Sequence, residues 1–167
     1  IAQIEHAVSI TSAMHQTALR TAKPGMTEAA VAAKVYEVAL SAGGNISFPT
    51  IATIQGQTLH NHYQGNVIKA GQLFLLDAGY ETPMGYAGDM SSTFPVSGKF
   101  TQEQKIIYQI TLDAHNSAIE MLKPGVHFMD VHLKVAAIIF EGLRDLGFTK
   151  GNTEDAVVNG AHALFFP

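Results

Sequence analysis

Cysteine is absent from this 167-residue chain. That excludes a disulfide framework and a thiolate metal site, so any bound metal has to rely on Asp, Glu or His. The absence fits a reducing cytoplasm, the expected location, and is equally compatible with other compartments. No stretch approaches the roughly 20 consecutive apolar residues of a membrane span. The opening IAQIEHAVSI has neither an initiator Met nor the charged and apolar regions of a signal peptide, so the native N-terminus is expected to lie upstream. Basic clusters are missing as well: Lys and Arg total 10 against 14 Asp and Glu, the formal charge is -4, and no aromatic-interleaved basic stripe exists. Neither nucleic acid nor a membrane is an expected partner. The motifs GxSxG, Walker A, GxGxxG after a strand and HExxH do not occur, which removes support for a nucleophilic serine or a phosphate loop.

What is present is a chain that is 47% hydrophobic, enough for one sizeable core. Displaced by 100 residues, ITSAMHQTALRTAKPGMTEAAVAAKV (10–35) aligns without gaps on ITLDAHNSAIEMLKPGVHFMDVHLKV (110–135), including His15 with His115 and Thr11 with Thr111. Shared helix-break-helix composition is the simpler explanation. The unbroken register and the shared His and Thr favour an internal duplication. Each copy predicts a helix (about 1–22 and 102–122), a stop at Pro24-Gly25 or Pro124-Gly125, and a second amphipathic helix (27–42 and 128–146). Thr101 with Gln104 has capping-box spacing. Strand-like runs follow only the first pair, at 47–54, 66–69, 72–80 and 86–96. The second copy is therefore expected to lack most of its strands: a first αβ half over about 1–100, then helices over about 101–147.

The run LLDAGYETPMGYAGDMSSTF (75–94) carries the candidate chemistry. A hairpin symmetric about Pro83 predicts Asp77 directly opposite Asp89. Two facing carboxylates repel unless one is protonated or a cation lies between them. One reading is a divalent metal site with hard oxygen ligands; the other is a pair of unrelated carboxylates on an asymmetric hairpin. His60 and His62 in TLHNHYQG alternate as on one strand face and are candidates for substrate contact or proton handling. His15 and His115 read as structural and His162 as packed on a strand. His6, His127 and His132 carry no constellation, and Lys99 and the KPG lysines belong in solvent.

LLDAGYE, GYAGDMSSTFPVSGKFT, TLHNHY and the KPG breaks resemble the catalytic domain of the proline-specific metallopeptidases, Xaa-Pro aminopeptidase and Xaa-Pro dipeptidase, over essentially the whole chain. The resemblance implies an α+β pita-bread fold (creatinase/aminopeptidase) with a pseudo-twofold duplication, its second half incomplete here. It implies Asp77 and Asp89 as metal ligands, with Asp89 bridging two divalent ions, usually Mn2+ with Co2+ or Zn2+ as alternatives. His60 takes the place of the histidine that contacts substrate and the tetrahedral intermediate. The activity implied is hydrolysis of Xaa-Pro bonds in proline-containing peptides by a water activated between two metals, in a homodimeric full-length parent. Three further ligands are expected beyond residue 167, so this chain alone is expected to bind metal weakly and lack useful activity. Ser92 departs from the Arg that aminopeptidases of this group often carry. The alternative is a non-catalytic pita-bread binding module.

Overall fold

The computed structural model describes residues 1–164. Its contacts divide the chain into two compact units, Ile1–Phe100 and a second from Thr101 onward. The first contains α1 (Ala2–Thr21), α2 (Glu28–Ser41), β1 (Asn45–Ile46), β2 (Ile51–Thr53), β3 (Leu73–Ala78), β4 (Tyr80–Glu81) and β5 (Met90–Pro95). The second contains α3 (Gln102–Met121), α4 (Phe128–Asp145), α5 (Thr153–Val158) and a 3-10 turn at Ala161–Leu164. Each long helix starts and stops within two residues of its sequence expectation. Gly25 and Gly125 stand in the left-handed region, with φ of 93° and 89°, and end the same break in both units.

In the first unit β1 pairs antiparallel with β4, while β3 is the centre of an antiparallel sheet ordered β2-β3-β5. Residues 74, 76 and 78 of β3 are buried and 73, 75 and 77 are half-buried, the period-2 alternation of a strand with one face on a core. That core joins Phe74, Leu76, Tyr80 and Phe94 to Met14 of α1 and Val31 and Val35 of α2. Phe74 and Phe94 are cross-strand partners with ring centroids 5.6 Å apart.

Polar side chains tie α1 to the hairpin. The Thr11 hydroxyl donates to the Ala7 carbonyl (2.8 Å) and accepts from the Tyr80 N–H (3.0 Å). One turn on, the buried His15 lies with Nε2 3.2 Å from the Ala78 carbonyl and Nδ1 2.6 Å from the Ser92 hydroxyl. The carbonyl can only accept, so Nε2 donates to it, and in the neutral ring Nδ1 then accepts from Ser92. The structural reading of His15 holds, and Ser92 gains a partner within the fold. His115, its repeat equivalent, is exposed.

The second unit opens on the expected capping box, with Thr101 and Gln104 satisfying one another's backbone N–H. The Glu103 backbone N–H and then the Thr101 hydroxyl hold the Glu103 carboxyl below the usual carboxylate range. Buried Val131, Ala136 and Phe140 form the inner stripe of α4. His162 lies in the 3-10 turn rather than on a strand, its ring edge-on to His132 at 5.6 Å and its Nδ1 buried without a hydrogen-bond partner. The short helix α5 was not expected; its signal is Asn152, whose side chain accepts from the Asp155 N–H as an N-cap.

Candidate active site

Sheet register sets the geometry. β3 and β5 pair Asp77 with Ser91 and Ala78 with Met90, and beyond the strands Gly88 N–H still reaches the Tyr80 carbonyl at 2.8 Å. The direct Asp77–Asp89 opposition is therefore corrected: Ser91 faces Asp77, and Asp89 falls opposite Gly79. The cause is the turn. Gly85 donates to the Thr82 carbonyl, Thr82 to the Tyr86 carbonyl, and Gly85 has φ 78°, giving a three-residue loop centred on Met84 rather than Pro83. The shift is two residues, so it preserves the face. Asp77 and Asp89 become diagonal neighbours, roughly 7–8 Å apart at the backbone.

Asp77 has Ile51 on its other flank and contributes to a cleft of about 190 Å³ with Thr58, His60, Leu75 and Ser91. Its Oδ1 is buried and has no hydrogen-bond partner. A buried acceptor left so costs about 1–3 kcal/mol, more if charged. Asp89 is exposed and does not line this cleft.

His60 and His62 do not share a strand. The segment from Gly56 to Asn66 is turns and irregular chain, and His60 itself adopts φ 51°, a left-handed conformation in which histidine is enriched among non-glycine residues. Both ring systems are exposed, and the loop brings His60, not His62, to the Asp77 cleft. The alternation of TLHNHY suggested a strand because period 2 alone does not distinguish one from an extended loop.

Gly88 holds the approach to Asp89. A Cβ there would run into the Thr11 hydroxyl and lie 2.9 Å from the Ala7 carbonyl oxygen of α1. Gly88→Ala is expected to lower stability by about 1–3 kcal/mol through overpacking. Thermal melting checks it, and an unchanged midpoint would show that α1 yields freely.

A model of metallopeptidase family M24 matches residues 2–161. The chain belongs to this family. The Xaa-Pro aminopeptidase of Escherichia coli (strain K12) is 35% identical over 171 residues, covering 99% of this chain and 38% of that protein. A probable Xaa-Pro aminopeptidase of Chaetomium globosum is 35% identical, with 100% of this chain and 28% of that protein covered. Zinc-substituted E. coli aminopeptidase P in complex with product superposes with a TM-score of 0.93 at 34% identity, and proline aminopeptidase P II from Yersinia pestis with 0.94 at 34% identity; each match covers 98% of this chain and 38% of the other. The chain thus spans less than two-fifths of the length of these relatives, and its α+β pita-bread architecture is established.

Membership in M24 implies a divalent metal. The Asp77 carboxylate fits one, since its orphaned Oδ1 is a hard oxygen donor with coordination capacity unused. Among the described residues no group of three His, Asp or Glu side chains gathers that could hold an ion alone. Sequence reasoning missed Ser91 and Thr58 as cleft residues, because cross-strand partners depend on turn length. It also missed Glu28, which looks like an ordinary acidic residue in a helix first turn and is fully buried.

Proposed function

We propose that these residues supply two metal ligands and the substrate-contacting histidine of a metal-dependent peptidase that hydrolyses Xaa-Pro bonds. The observation that carries this reading is the buried, unpartnered Asp77 Oδ1 in a cleft shared with His60. Asp77 and Asp89 donate carboxylate oxygens from one sheet face. When bound, two divalent ions, Mn2+ before Co2+ or Zn2+, supply Lewis-acid polarisation of the scissile carbonyl and a nucleophile at neutral pH. His60, exposed at the rim, can donate an N–H to the carbonyl oxygen as charge develops on it. Water adds to the carbonyl carbon, the C–N bond to proline breaks, and the proline nitrogen leaves with a proton. The setting assumed is a cytoplasmic homodimer.

The 167 residues alone are proposed to lack useful turnover, in keeping with the absence of a three-ligand group among the described residues. The test is Mn2+-dependent hydrolysis of an Xaa-Pro dipeptide and an Xaa-Pro-Yaa tripeptide by this chain and by a longer polypeptide that carries further ligands. Turnover in the longer form only is expected, and the preferred substrate separates dipeptidase from aminopeptidase action. Comparable turnover by the 167 residues would overturn the proposed inactivity. A longer form that binds Mn2+ but cleaves neither peptide acts on another substrate, and one that binds no metal is a binding module.

A further inference from the structure

The carboxylate of Glu28 is fully buried at the N-terminus of α2 and takes no part in the cleft. Its partners lie on both stems of the loop that carries His60. From the incoming stem, the Thr53 hydroxyl (2.9 Å) and the Ile54 N–H (2.8 Å) donate to Oε1. From the outgoing stem, the Asn66 N–H donates to Oε2 (3.0 Å) and the Asn66 side-chain amide reaches both oxygens (3.1 and 3.0 Å). The α2 N-terminus adds backbone bonds to the outgoing stem only: Glu28 N–H to the Asn66 carbonyl (3.0 Å) and Ala29 N–H to the Gln64 carbonyl (2.9 Å). Glu28 therefore joins residue 54 to residue 66 across the base of the loop, and the Gln64 side-chain amide, which donates to the Thr50 carbonyl (3.1 Å), is the other side-chain tie between the stems among the described residues.

We infer that Glu28 is a positioning residue that sets the loop geometry placing His60 over Asp77. The inference rests on the proposed peptidase reading for its catalytic consequence and on the hydrogen bonds alone for its structural one. A carboxylate suits the task because both of its oxygens accept and every partner donates. A carboxamide of the same shape presents an NH2 to donors on one side, whichever way it turns. Glu28→Gln thus breaks one stem at nearly constant volume, and the loop between the stems loses a fixed end. Misplacement of a catalytic contact by about 1 Å can cost on the order of 10²-fold in rate.

Two readouts test this. In the 167-residue chain, Glu28→Gln is expected to speed hydrogen exchange at the amide of the released stem, Ile54 or Asn66, selectively over those of β3; uniform or unchanged exchange would show that the carboxylate is not the clamp. In the longer, active polypeptide, with Mn2+ and an Xaa-Pro-Yaa peptide and well below the melting temperature, Glu28→Gln is expected to lower kcat by about 10²-fold with little change in KM. In a His60→Ala background the same substitution should add little, because it acts through His60. Independent, multiplying effects would overturn the positioning role. Asn66→Ala, which keeps the carboxylate and its backbone partners, should give a smaller loss of the same kind and serves where Glu28→Gln folds poorly. A wild-type polypeptide that does not cleave the peptide defeats the peptidase reading and with it the kinetic consequence, while the exchange result still decides the clamp.

Discussion

Asp77→Asn is expected to remove turnover and raise the stability of the metal-free chain. In the first effect, read in the longer polypeptide, loss of the proposed ligand forfeits several kcal/mol of transition-state charge stabilisation, about 10³-fold or more in kcat. In the second, the buried Oδ1 has no hydrogen-bond partner, so a neutral amide relieves part of the cost of burying charge, about 1 kcal/mol. For a unit of this size that is an upward shift of about 4–8 °C in melting temperature. Added Mn2+ should stabilise the longer wild-type polypeptide and not the variant. A site residue that weakens the apo fold is distinguishable from a structural one by this opposition of signs. A lower apo melting temperature in Asp77→Asn would mean that the carboxylate already serves the fold.

Phe74→Ala carries the largest expected structural cost. Phe74 is fully buried on β3, stacks with its cross-strand partner Phe94 and lies in the cluster that joins the sheet to α1 and α2. Truncation to Ala loses transfer energy and leaves a cavity, together about 3–5 kcal/mol. A domain has only about 5–15 kcal/mol in total. The denaturant midpoint of the first unit should fall sharply with little change in slope. Because Asp77 is three residues along the same strand, metal affinity in the longer polypeptide should fall with it. A loss below about 1 kcal/mol would contradict the placement of the Phe74–Phe94 pair at the centre of the core.

The helices were legible because their signals are local. Apolar spacing, the KPG stop and the Thr101–Gln104 box are each complete within one or two turns, and the structure reproduces them nearly to the residue. Strands proved harder. The run 47–54 yields only Ile51–Thr53, and the 66–69 run yields an isolated bridge between Val67 and Thr27. Strand formation depends on a neighbour, and β-propensity measures fit to that neighbour more than backbone preference.

At the site, the same distinction holds. Asp77 was recognisable as the end of an apolar run, and because the register error was even, Asp89 comes to lie diagonal to it. The partner itself was wrong: it turned on whether the loop centres on Pro83 or Met84, a difference set by the left-handed Gly85. Glu28 was illegible. Nothing in TEAAV distinguishes a solvated helix-start glutamate from one buried beneath a loop that begins 26 residues later.

Asp77 and Asp89 are proposed to act together as metal ligands. This is tested most directly by calorimetric titration of Mn2+ into the longer polypeptide and into its Asp89→Asn variant. Two ions bound per chain are expected in the wild type, and loss of the paired site in the variant, because Asp89 would help to hold both. Identical stoichiometry and affinity in both proteins would contradict it.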